Sequence, residues 1–181
     1  MASIPPSLLT EHSWLALTAR LTLMQKAKVE GKHRFFAWLL VQCKILTADK
    51  LLKRNWPCNP MCPLCDQEPE SAEHLILNCV YAKEVWIRMS QETGGLLQVP
   101  LHGLSMEEWW NSNLQGREKK QQIRRASLMI YTAWNLWRER NWRIFDAVYM
   151  LPAWVVQMIK DEIGVRFQAC GGEELIPSTN V

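Results

Sequence analysis

Three cysteines and one histidine have the residue types and the spacing of a metal site. Cys62 and Cys65 are separated by two residues, and His74 and Cys79 by four. Thiolate sulfur and neutral imidazole nitrogen are the ligands that Zn²⁺ takes in tetrahedral structural sites. Because four protein ligands leave no coordination position open for a substrate, these residues predict one structural zinc ion.

Cys58 is the rival ligand in this region. It lies four residues before Cys62 and could replace His74 or Cys79 in the ligand set. Its alternative role is that of a small side chain packed in the loop. Two other cysteines, Cys43 and Cys170, have no partner at ligand spacing and are expected to be inert thiols.

The N-terminal residues bear on the compartment. They lack the charged start and the clean apolar stretch of a secretory signal. We therefore expect an intracellular protein, nuclear or cytoplasmic, with a mitochondrial location as the alternative because acidic residues are scarce there. Inside a cell, cysteines are expected to bind metal or stay free rather than form a disulfide framework.

Charge is distributed unevenly along the 181 residues, although the net charge is only +3. Residues 20–54 carry nine basic and two acidic side chains, and residues 117–143 carry eight and two. Residues 55–116 between them carry two basic and eight acidic side chains. Basic segments of this kind attract polyanions, so RNA or DNA is a candidate partner, and ordinary solvated helix faces are the alternative. The candidate phosphate contacts are Arg34, Lys44, Lys50, Lys53, Arg54, Lys119, Lys120, Arg124 and Arg125.

The ten tryptophans suggest a second kind of partner. Most of them are expected in the core, because tryptophan carries much apolar area. Trp109, Trp110 and Trp142 fit the apolar helical stripes least well, and exposed aromatic clusters mark interfaces. In this alternative hypothesis the chain binds a host protein, or itself, through its Trp-rich C-terminal helices and has no role in nucleic-acid binding.

Helical periodicity and poor strand signals predict a mainly α fold, a small zinc-knuckle module with a helical C-terminal extension. Gly31 is expected to end the first helix, and Ser105 with Glu108 has the spacing of a capping box. No apolar run approaches the roughly 18–20 residues of a membrane span. The expected organisation is an unstructured lead at 1–13, a zinc-binding helical module at 14–95, a connector at 96–104, a Trp-rich helical extension at 105–170 and a flexible tail at 171–181.

About residues 30–90 resemble the zinc-binding domain that follows the reverse transcriptase in plant LINE-type (non-LTR) retrotransposons. The stretch 134–145 is similar to the tryptophan-rich helix downstream of that domain. The resemblance implies zinc bound by Cys62, Cys65, His74 and Cys79, in preference to Cys58, and it implies no activity. It rests on the aromatic helix FFAWL at 35–39, on LTAD at 46–49 with Leu51, on Cys62-x2-Cys65, Glu70, His74-Leu75, Cys79 and Val85-Trp86, and on WNLWRERN with RIF at 143–145.

The expected function is therefore a non-catalytic structural-zinc module. No nucleophile, base and carboxylate stand at a known catalytic spacing, so we expect neither an enzyme nor a small-molecule substrate. A polymerase segment and a ribonuclease H segment are both missing from this sequence, so we expect a fragment of a retrotransposon or a domesticated gene derived from one. Its helices would bind RNA or DNA, and the alternative is a host-interfering protein that acts through protein contacts.

Overall fold

A computed structural model of the chain describes residues 22–115, 118–171 and 175–176. Within these residues the regular structure is helical, apart from one isolated β-bridge between Met61 and Pro69. The mainly α fold predicted from the sequence is thereby confirmed. The lead at 1–13, the first part of the expected first helix and most of the tail lie outside the described residues.

Six α-helices lie wholly within the described part of the chain. They are α1 (Gly31–Val41), α2 (Ala48–Leu52), α3 (Val80–Glu92), α4 (Met106–Leu114), α5 (Lys119–Phe145) and α6 (Pro152–Cys170). A short π-helical turn, His74–Asn78, precedes α3. Residues 22–26 are also helical.

Local sequence accounts for several helix ends. Ser105 Oγ accepts a hydrogen bond from Glu108 N at 3.2 Å, and the Glu108 carboxylate accepts one from Ser105 N at 2.9 Å, so the capping box is formed. Pro152 begins α6, where its missing N–H costs no helical hydrogen bond. The expectation for Gly31 is wrong: it begins α1 instead of ending the preceding helix. The extended backbone of Glu30 serves as the N-cap there.

The long helix α5 lies at the centre of the packing. It contacts α1, α3, α4 and α6, and also the π-helical turn. The buried apolar side chains on both sides of residues 96–104 form one hydrophobic cluster. The expected module and the expected extension therefore share a core, and whether residues 14–95 fold independently stays a prediction.

Trp109 and Trp110 lie inside this core. Each is 1% exposed, so the expectation that they belong to an exposed aromatic surface is wrong. Helix α4 packs against both α1 and α5, which covers it on two sides. Trp109 makes an edge-to-face contact with Trp86 of α3, with ring centroids 5.4 Å apart. Trp109 thus joins α4 to α3.

No helix within the described ranges is long and apolar enough to span a membrane.

Candidate metal centre

Cys62 and Cys65 lie on a tight loop that we call the knuckle, residues 61–69. Two backbone hydrogen bonds close it, from Cys62 N to Glu68 O and from Asp66 N to Cys62 O, both at 2.8 Å. Asp66 adopts a φ of 55°, a left-handed conformation that aspartate tolerates better than most residues. The loop therefore turns sharply enough for both cysteine side chains to reach one point.

His74 and Cys79 are brought together by the π-helical turn. Cys79 N donates to His74 O at 2.7 Å, which is the i to i+5 hydrogen bond of a π-helix. Ser71 Oγ accepts a hydrogen bond from His74 N at 3.0 Å and so caps the start of this segment. The five-position separation is therefore bridged by a π turn.

The four side chains form one cluster with the dimensions of a zinc site. The ligand atoms of Cys62, Cys65, His74 and Cys79 all lie within 4.8 Å of one another. Cys62 Sγ and Cys79 Sγ are 3.9 Å apart, and Cys65 Sγ is 3.3 Å from His74 Nε2. In a tetrahedron with Zn–S bonds of about 2.3 Å, neighbouring sulfurs are about 3.8 Å apart. The residues present therefore fit a tetrahedral zinc ion.

Glu68 lies beside the histidine of this cluster. Its carboxylate Oε2 is 3.3 Å from His74 Nδ1, without the geometry of a hydrogen bond. Carboxylates on the outer nitrogen fix the ring orientation of metal-binding histidines and make them more basic. Glu68 is thus on the outer side of His74, whose Nε2 lies 3.3 Å from Cys65 Sγ.

Interactions within the cluster shift the pKa values of its side chains in different directions. A hydrogen bond with Cys79, together with burial, raises the pKa of Cys62 to about 12. The same hydrogen bond lowers the pKa of Cys79, and a hydrogen bond with Cys62 raises the pKa of His74. A bound cation favours thiolates and neutral imidazole. Three thiols packed this closely are thus a donor set that a divalent cation stabilises.

A buried ion pair joins this centre to α5. Arg140 donates to Glu70 from Nε to Oε1 at 2.7 Å and from Nη2 to Oε2 at 2.9 Å. Glu70 Oε2 also accepts from Ala48 N at 2.7 Å, at the start of α2, where the Thr47 side chain makes no capping hydrogen bond. One carboxylate therefore connects the end of the knuckle to both α2 and α5.

Arg143 makes a second connection, one turn further along α5. Its Nη1 donates to the carbonyl oxygens of Pro63 and Leu64, each at 3.0 Å. Its Nε donates to Glu139 Oε1 at 2.7 Å, which compensates the charge of the guanidinium. The carbonyls between the two knuckle cysteines are thus held by α5.

The predicted phosphate contacts divide into three groups. Lys50 and Arg124 are partly buried, and Arg124 Nε is engaged by Leu175 O at 2.9 Å. Arg125 is fully buried, with its Nη1 donating to Asn113 O at 3.0 Å, so its prediction as a phosphate contact is wrong. A guanidinium enclosed in the core cannot reach a phosphate. The exposed members are Arg34, Lys44, Lys53, Arg54, Lys119 and Lys120.

Two other candidates are Trp142, for partner binding, and Cys58, the rival zinc ligand. Trp142 is partly buried beneath the guanidinium of Arg138, 4.7 Å from its ring centroid. Cys58 lies outside the four-residue cluster, and its thiol is 3.9 Å from the carbonyl oxygen of Ala48. The geometry therefore favours Cys79 and His74 over Cys58.

The comparisons with known proteins agree with this geometry. Residues 9–86 match the family described as zinc-binding in reverse transcriptase. A putative ribonuclease H protein of Arabidopsis thaliana is 23% identical over 146 residues, which make up 77% of this chain and 23% of that relative. The chain thus spans less than a quarter of that relative's length. No solved structure matches the chain.

Residues 9–86 are thus similar to the zinc-binding domain found in reverse transcriptases, and the resemblance seen in the sequence is confirmed at this level. The metal-binding, retrotransposon-related and plant character expected from that resemblance agrees with both matches.

Proposed function

We propose that this chain is a non-catalytic zinc module that binds RNA or DNA, and that Cys62, Cys65, His74 and Cys79 hold one structural Zn²⁺. The domain match and the four-donor cluster support the metal. Because four protein donors complete a tetrahedral shell, the ion has no position left for a substrate. Its role is then to fix the knuckle against α3 and α5.

Exposed basic side chains carry the nucleic-acid part of the proposal. Lys53 and Arg54 lie at the surface directly after α2, which Glu70 ties to the knuckle. Lys119, at the start of α5, lies close enough to Lys26 to lower the pKa of Lys26 through a side-chain hydrogen bond and charge repulsion. Neighbouring like charges are the arrangement that a polyanion relieves. Two separate parts of the sequence thus contribute to basic surface.

The test is fluorescence anisotropy with labelled single-stranded RNA, single-stranded DNA and duplex DNA over a range of salt concentrations. Each phosphate contact contributes roughly 0.7–0.9 to the slope of log K against log salt. The double variant Lys53→Ala/Arg54→Ala should therefore lose a slope of roughly 1.5. The matched control, Lys83→Ala/Arg88→Ala, removes two cations from the acidic middle segment and should leave the slope unchanged.

Two results would contradict the proposal. One is wild-type protein that binds none of the three probes at low salt. The other is an equal loss of slope in the control and in the Lys53→Ala/Arg54→Ala variant, since binding would then follow net charge alone.

The expected host-protein role depended on Trp109, Trp110 and Trp142, of which the first two are buried.

A further inference from the structure

A groove of about 960 Å³ opens beside the knuckle. It is lined by residues from 46–59, by knuckle residues, and by the end of α5 and the residues that follow it. Its volume is at the upper end of the roughly 300–1,000 Å³ of small-molecule sites, so it has room for more than one base. We propose that this groove binds single-stranded nucleic acid by stacking unpaired bases on its aromatic rings. The proposal rests on the function proposed above and assigns it a site.

Three aromatic rings at the groove are left in solvent. Trp56 is 66% exposed, and Phe145 and Tyr149 are 74% and 69% exposed. Aromatic rings carry large apolar areas, so leaving three of them exposed in one groove is unfavourable unless a partner covers them. Flat rings that line one groove are suited to stacking with bases, since every base has a π-face.

Two arginines on α5 contact aromatic rings of the groove. Arg143 packs on Tyr149, with its guanidinium carbon 5.4 Å from the ring centroid, and donates to the carbonyls of Pro63 and Leu64. Arg140 lies 4.8 Å from the ring centroid of Trp137, which also lines the groove. Both arginines therefore serve as supports, and the groove is organised before any ligand arrives.

The charges around the groove favour nucleic acid over an apolar peptide as its ligand. Among the groove-lining residues, Arg140 is neutralised by Glu70, and Arg143 by Glu139 behind it. Two exposed basic side chains precede Trp56 in the chain: Arg54, and Lys53, which lies 3.9 Å from Asp49 Oδ2. An aromatic groove with a cation close to one of its rings in the chain fits bases inside and phosphates outside. An apolar peptide would use the rings and leave Arg54 without a role.

The test compares a fluorescein-labelled single strand of about 12 nucleotides, within the roughly 4–16 covered by comparable single-strand sites, with the duplex of the same sequence. Trp56→Ala and Tyr149→Ala should each weaken single-strand binding roughly 5- to 100-fold, the range expected for loss of one stacked ring. The salt slope should stay unchanged, because no phosphate contact is removed. Duplex binding should change less than about 2-fold, because paired bases do not stack on the rings.

Trp154→Ala is the matched control. Trp154 lies on α6, is 61% exposed and does not line the groove, so its loss should leave single-strand binding unchanged. All three rings are exposed, so each variant should keep the wild-type urea midpoint, which is measured first.

The possible results distinguish a failure of the groove proposal from a failure of nucleic-acid binding as a whole. Single-strand binding by Trp56→Ala and Tyr149→Ala that equals that of Trp154→Ala overturns the groove and leaves nucleic-acid binding in place. Wild-type protein that binds neither strand form overturns the proposed function, and the groove with it.

Discussion

Glu70 and Arg140, 70 positions apart in the chain, are joined by two hydrogen bonds of 2.7 and 2.9 Å. Their side chains are only 1% and 5% exposed, so the pair is enclosed by protein. Glu70 also caps α2 through Ala48 N. Because the carboxylate lies at the end of the knuckle and the guanidinium on α5, we infer that the metal centre and the long helix depend on each other for stability.

Removing one member of this pair should be costly. Arg140→Met leaves the Glu70 carboxylate buried without its cation, and such changes destabilise proteins by about 3–5 kcal/mol. The measurement is urea unfolding followed by circular dichroism, with zinc present at a fixed concentration. The exposed pair of Arg88 and Glu84, at 2.8 Å, is the control, and Arg88→Met should cost about 0–1 kcal/mol.

A double variant tests whether the instability of Arg140→Met comes from the unpaired Glu70 carboxylate or only from the loss of a long side chain. Glu70→Leu/Arg140→Met removes both charges together, so it should be more stable than Arg140→Met alone. A double variant that loses the sum of the two single effects would show that the pairing contributes nothing.

The proposed ligands and the rival cysteine should behave differently on mutation. Cys62→Ser and His74→Ala should each lose bound zinc and unfold residues 55–92, because the ion contributes much of the free energy of folding in small zinc modules. Cys58→Ser should keep one zinc per chain. Zinc content by atomic absorption and amide hydrogen exchange across 55–92 are the measurements. Zinc loss in Cys58→Ser, with retention in His74→Ala, would place Cys58 in the site.

Glu68 should tune the affinity for zinc without being required for it. Glu68→Gln removes the charge beside His74 Nδ1, and changes at such outer partners lower metal affinity about 10- to 100-fold. The low end is expected because Glu68 is itself exposed. Competition with a chromogenic chelator measures the effect. An affinity equal to wild type would mean that His74 is oriented by its surroundings alone.

The π turn gives a prediction about spacing. One alanine inserted between Asn78 and Cys79 rotates the cysteine by about 100° around a helical axis, away from His74. This variant should bind no zinc. A glycine inserted between Gly94 and Gly95, both exposed and at positive φ, should leave zinc binding intact. Zinc retained by the first variant would show that the His74 to Cys79 geometry is adaptable.

Local signals in the sequence predicted much of the helical structure. The chain is mainly helical, and the capping box at Ser105 forms as expected. The predicted ligand residues lie together in space. Helix periodicity, capping chemistry and ligand spacing are properties of short segments, and for that reason they can be recognised before the fold is known.

Features that depend on distant partners were not predictable in this way. Arg125 is basic and lies in a basic segment, yet the neighbouring helices enclose it. Trp109 does not fit the apolar stripe of its nine-residue helix. It is buried all the same, because other helices cover α4 on two sides. Glu70 and Arg140 both lie in the stretches that carry the family resemblance, which was the available signal for their importance. Their pairing leaves no periodic trace in the sequence.

The most direct test of the metal centre is X-ray absorption at the zinc edge of the purified chain. With Cys62, Cys65, His74 and Cys79 as ligands, the first shell should contain three sulfurs at about 2.3 Å and one nitrogen at about 2.0 Å. The same sample should contain one zinc per chain. A shell of four sulfurs, or one made only of nitrogen and oxygen, would contradict this ligand set.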